Sequence, residues 1–222
     1  MRRLRESDAS SVHRRHIRFH GSRCKGVSAL HDTLYEEANL VYIELRDAER
    51  SHEDAKDAVA AAMAVRDRAE VVLEDAIRDM DAEAARCDRK NPALAAQKAI
   101  FPEGFGVLLS PKGEEQLGVL PSLKVRYAPF LSEGNMAAVA SQLEAAEAGL
   151  VAALKVVTAK KEAEDIAFAE EKQGRAKVRA QIDSAYGRLR DYYKGHVAEA
   201  EAFFLRETEK KKGKAGTEAG TK

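Results

Sequence analysis

Tryptophan is absent from this chain of 222 residues, and phenylalanine and tyrosine bring the aromatic share to only 6%. Large side chains build thick globular cores, so their scarcity argues against an ordinary compact domain. Proline and glycine are missing altogether from residues 29–88. Without either breaker, nothing local interrupts a helix there. Only two cysteines occur, Cys24 and Cys87, at no spacing that suits a metal knuckle or a redox pair. Two isolated cysteines fit a reducing compartment and a fold that needs no disulfide. Long apolar runs are lacking too. The longest, residues 58–65, is too short and too alanine-rich to span a bilayer, and the basic N-terminus is not followed by the apolar core of a secretory signal. The expectation is a soluble, cytoplasmic protein.

Net charge is also lacking, with 37 basic residues against 37 acidic ones. The balance hides an uneven spread. Residues 1–26 hold eight Lys/Arg against two Asp/Glu, and residues 209–222 hold five against two, so the body between them is acidic. Basic ends on an acidic body suggest nucleic-acid association through the tails, but solvated, disordered tails are the simpler expectation.

What the chain does have is a seven-residue repeat. From Leu34 the seam runs through Ala38, Val41, Leu45, Ala48, His52, Ala55, Val59, Ala62, Arg66, Ala69, Leu73, Ala76, Met80, Glu83 and Cys87. Alternating steps of three and four over this length mark a helix packed along another helix. At about 1.5 Å per residue it would be roughly 90 Å long. Alanine at every seventh position from Ala48 to Ala76 allows close approach of the two axes. A second long seam begins with Met136, Ala140, Leu143, Leu150, Leu154 and Val157. It loses phase between Thr158 and Gly174 and resumes at Val178, Ile182, Ala185, Leu189 and Tyr192. Gly174, inside a polar run, predicts a bend or break.

All five prolines lie between Pro92 and Pro129, in a connector too apolar to remain in water. Its short helices are expected at residues 92–99 and 111–118. Ile100, Phe101, Phe105, Val107, Leu108 and Leu109 form an apolar tip, the candidate interaction site. The reading is therefore all-α: two long helices in an antiparallel coiled-coil hairpin with a small helical cap at the connector. By residue number it comprises a basic disordered tail (1–27), the first long helix (28–91, capped by Ser28 with Asp32 in its first turn), the apolar cap (92–131), the second long helix (132–211) and a Lys/Gly-rich disordered tail (212–222).

Chemical motifs are few. Gly104-Phe105-Gly106 starts like a dinucleotide fingerprint, but Leu109 stands where the third glycine belongs and no strand precedes it. His13, His16, His20 and Cys24 would share a helix face and have zinc-ligating chemistry, but interspersed arginines favour a chance cluster in a flexible tail. Glu49 and His52 match one Glu-x-x-His element where di-iron bundles need two, so His52 reads as a polar layer that fixes register. The run of residues 46–55 (Arg-Asp-Ala-Glu-Arg-Ser-His-Glu-Asp-Ala), with the long-helix layout and the Phe-Pro-x-Gly connector, resembles uncharacterised long-helix proteins of high-GC bacteria of myxobacterial type. That resemblance implies no activity and no site residues.

The expected function is a non-enzymatic structural or protein-interaction coiled coil. It would self-associate or bind another helical protein through apolar flanks such as Val65, Val72 and Ile77. No cofactor, metal, small-molecule substrate or specific nucleic acid is expected. The alternatives are a membrane-active long-helix protein using residues 100–109 as a tongue, and nucleic-acid association through the tails.

Overall fold

The computed structural model describes residues 4–205. Among these residues there are helices and no strand. In chain order they are α1 (Ser10–Cys24), α2 (Ala29–Lys90), a 3-10 turn at Pro92–Leu94, α3 (Ala96–Ile100), α4 (Gly106–Leu109), α5 (Glu114–Tyr127), a second 3-10 turn at Ala128–Phe130, α6 (Met136–Tyr192) and α7 (Val197–Glu201). Helix α2 packs on α6, and both contribute to two compact units. One unit joins the chain up to Ser51 to the chain from Phe168 onward; the other is His52–Ala167.

In the first unit the α2 seam residues Leu34, Ala38 and Leu45 bury against Val178, Ile182, Ala185 and Leu189 of α6. The polar margins run in opposite chain directions. Glu37 accepts hydrogen bonds from Arg188 and Gln181, each at 2.8 Å, and Lys177 pairs with Glu44 at 2.7 Å. Gly174 does not break α6. A Cβ at this position would lie 3.1 Å from Leu45 Cδ1, so the missing side chain lets the two helices close at that layer.

Two further expectations fail in this unit. The segment expected to be a disordered tail contains α1, whose buried face is Ser10, His13, His16, Ile17, His20, Gly21 and Cys24. That face has helical spacing but carries one aliphatic side chain, so its periodicity does not read as hydrophobic. The second long helix stops at Tyr192 and not near residue 211. Lys194 and Gly195 take positive φ values of 49° and 86°, and α7 follows as a separate piece. Ser28 stands at the expected cap position, its carbonyl accepting the Asp32 N–H at 2.8 Å; its hydroxyl meets the His31 ring at 2.7 Å, and Asp32, in the first turn, accepts from the Gly26 N–H. The tail expected at residues 212–222 lies outside the described residues.

In the second unit Leu73, Ala76, Ile77, Met80 and Ala84 of α2 join Met136, Ala140, Leu143 and Leu150 of α6 in one core. The connector folds onto it. Helix α2 supplies the acceptors that start the connector helices. Asp88 accepts from the N–H groups of Ala96 and Gln97 at 2.6 and 3.0 Å, opening α3. Glu70 accepts from Gly113 N–H at 3.0 Å, before α5, and Glu83 from Asn135 N–H at 2.8 Å, before α6. The expected helix at residues 92–99 is instead a 3-10 turn, a left-handed Ala95 and α3. The expected helix at 111–118 begins at Glu114 and continues to Tyr127 through Pro121. Pro121 lies on the exposed side of α5, where a missing backbone bond is least costly because water is at hand. Gln116 of α5 is fully buried, and neither its oxygen nor its nitrogen has a hydrogen-bond partner among the described residues. Surrounding apolar burial must offset that penalty.

Candidate functional site

The heptad seam faces inward, and its flanks decide what is left for a partner. Ala62 and Ala76 are buried, whereas Val65, Val71 and Val72 are 62%, 54% and 51% exposed. Ile77, expected beside them as an uncovered flank, is fully buried in the second unit's core. Val65 and Val72 border a groove of about 700 Å³ between α2 and α6, with Ala69, Ala76, Ala145, Ala146 and Gly149 as its small-residue lining. Arg68, Asp75 and Asp79 stand on its α2 side. Small residues below and branched aliphatics at the edge suit the side of another helix. The seven-residue spacing of Val65 and Val72 was legible in the sequence. The hollow beside them was not, because it depends on Ala145, Ala146 and Gly149 coming alongside.

The tip residues do not form a free apolar surface. Ile100, Phe101 and Leu108 are buried in the second unit's core with Leu120, Leu123 and Tyr127, and Phe105 and Leu109 pack partly against it. Val107 alone among the six is largely exposed, at 51%. One further expectation changes: by length and composition alone, α6 is apolar enough to cross a membrane, and a third of the qualifying window is buried. The window contains no long unbroken apolar run; small residues with few charges among them make it qualify.

The histidines of α1 do share a buried face, as their spacing allows, but they serve separate contacts. His13 Nδ1 lies 3.1 Å from Ala9 O, and its Nε2 lies 3.4 Å from Arg179. His20 stacks on Phe204 at 4.7 Å, with Nδ1 3.4 Å from Phe203 O. Cys24 Sγ is 3.8 Å from the His20 ring, and burial pushes its thiol up to about 12, which leaves it protonated and unreactive. His31 of α2 joins them, its Nε2 3.2 Å from Tyr193 OH and its ring 4.7 Å from Phe203. Among the described residues no three His, Cys, Asp or Glu side chains converge as a metal site. Glu49 of the Glu-x-x-His element pairs with Arg14 at 2.7 Å. What the cluster does is hold the segment after α6 against α1 through neutral rings.

No family model, no curated protein and no solved structure matches this chain.

Proposed function

We propose that this is a structural or protein-interaction protein without enzymatic activity, built as an antiparallel coiled-coil hairpin with a folded cap, which self-associates through the α2–α6 groove. The observation that carries the reading is the exposure of Val65 and Val72 over a small-residue hollow. A second copy of the chain suits this face because the α2 edge is self-complementary. In a two-fold antiparallel pairing about Val72, Arg68 lies four residues before the axis and Asp75 three after it. The two then come within about 1.5 Å of each other along the helix. Arg68 has no carboxylate partner among the described residues.

Size-exclusion chromatography with in-line light and X-ray scattering tests both parts. The wild type is expected to run as a dimer and Val65→Glu with Val72→Glu as a monomer of unchanged melting temperature. The monomer's radius of gyration should clearly exceed the roughly 17 Å of a compact domain this long. A wild type that stays monomeric at high concentration defeats self-association, and a radius near the compact value defeats the hairpin.

A second reading, membrane activity, is favoured by the apolar window of α6. It is separated from the first by Phe105→Asp. In a structural protein this change places an unpaired charge against the second unit's core and lowers stability by about 2–4 kcal/mol. Dye release from liposomes by the wild type, lost in Phe105→Asp with melting unchanged, would establish the membrane reading instead.

A further inference from the structure

The outer face of α1 carries four arginines and no acidic residue. Its inner face is fixed against the first unit's core, so the arginines are presented on a rigid support. Between α1 and α2 this support forms a groove. One part, of about 420 Å³, is lined by Arg14, Arg15, Arg18 and Phe19 with the hydroxyls of Ser11 and Ser22, and is closed on the α2 side by Tyr42. A second part, of about 260 Å³, shares Arg18, Ser22 and Tyr42 and continues to Asn39 and Tyr35. Cations already sit over both tyrosines: the Arg18 guanidinium lies 5.9 Å from the Tyr42 ring centroid, and Lys25 Nζ lies 5.3 Å from that of Tyr35.

We propose that this α1–α2 groove binds single-stranded nucleic acid without sequence selectivity. Three features combine here that a single strand needs together: cations for successive phosphates, half-buried tyrosine rings at the groove wall against which an unstacked base can pack once Arg18 or Lys25 swings to a phosphate, and hydroxyl and amide groups for sugar and base edges. Tyr35 and Tyr42 lie seven residues apart on α2, or about 10 Å, so the footprint is short. Arg18 has no carboxylate partner among the described residues and is available to a phosphate. Arg14 is held by Glu49 at 2.7 Å, which makes it a wall of the groove and not its main cation. A duplex is the poorer ligand, because its bases are already stacked and cannot use the tyrosines. This site is separate from the self-association groove and from the C-terminal tail; it lies within the basic N-terminal segment, here folded as α1.

The test is fluorescence anisotropy of a labelled twelve-residue oligothymidylate with the full chain, at about 50 mM salt and rising. The logarithm of affinity should fall with that of salt with a slope of about −1.4, as expected for two phosphate contacts, by Arg15 and Arg18, to a single strand. Arg15→Glu with Arg18→Glu should weaken binding at least tenfold, and Tyr42→Ala about tenfold. Both variants are made at the groove surface, and circular dichroism confirms that they fold. Lys212→Glu with Lys214→Glu, in the C-terminal segment, should change little. The proposal is overturned by an absence of binding, by equal binding of a duplex with Tyr42→Ala neutral, or by loss of binding in the tail variant alone. It is equally overturned if the arginine reversals abolish binding to phosphatidylserine vesicles while leaving the oligonucleotide complex intact.

Discussion

Mild acid should unfold this protein at the first unit, before its carboxylates begin to titrate. Burial is the main cause that holds His20 down to about 4; the Phe203 carbonyl opposes it, and nearby His31 adds to it. His13 and His31 are also lowered, again chiefly by burial. These groups are bases whose folded-state affinity for a proton is weaker than in the unfolded chain. Their contribution to stability is complete above the unfolded value of 6.5 and is lost as pH falls from there towards 4. For His20 alone the difference amounts to about 3 kcal/mol at pH 4. Glu37 behaves in the opposite sense: burial pushes its carboxyl up, but Arg188 and Gln181 outweigh that and leave it below its usual range. Its contribution therefore fails only below about pH 4.5, so loss between pH 6.5 and 5 belongs to the histidines. Urea unfolding at pH 7.5, 6, 5 and 4.5 should show a falling midpoint in the wild type. In His20→Phe, which keeps a ring against Phe204, much of that slope should be gone. A wild-type midpoint flat across this range would show that the α1 histidines are not held neutral.

A single methyl group at Gly134 should cost about 3 kcal/mol. Gly134 has φ of +50°, which disfavours any Cβ by about 1–2 kcal/mol. The new Cβ would also stand 2.6 Å from Glu83 Oε1 and 2.9 Å from Cys87 Sγ. Glu83 is buried, and the same oxygen accepts the Asn135 N–H that precedes α6. Moving the carboxylate unpairs a charge-assisted hydrogen bond at a helix start, which adds roughly 1–3 kcal/mol. Gly104→Ala is the control: φ is +82° there, but nothing lies within 4 Å of the added Cβ, so only the backbone penalty applies. Denaturant midpoints should fall more for Gly134→Ala than for Gly104→Ala. Equal losses would mean that Glu83 yields freely and does not anchor the start of α6.

Self-association and the α1–α2 groove rest on surfaces that the sequence shows only in part. The exposed valines follow from their positions beside a seven-residue seam, but Ile77, on the same reasoning a flank, is buried because the folded connector adds to the core around it. In sequence the arginines of α1 form a basic run with the pattern of a tail. Their presentation on a helix depends on His13, His16 and His20, which look polar in sequence yet are buried, His20 stacked on Phe204. No local pattern identifies such a face, since the same side chains are equally at home in water.

The sequence by itself determined that this is a helical protein with two long helices and an apolar connector. Periodicity and the placement of proline and glycine act locally, and sixty residues without a breaker leave the backbone few alternatives. Tertiary structure alone decided that α1 folds, that α6 gives way to a turn after Tyr192, that Gly174 marks close packing in place of a bend, and that Glu70, Glu83 and Asp88 start the connector elements and α6. Each of these depends on a partner distant in the chain. A carboxylate on a helix surface looks solvated until an N–H group is brought to it, and a glycine looks like a weak point until another backbone comes close.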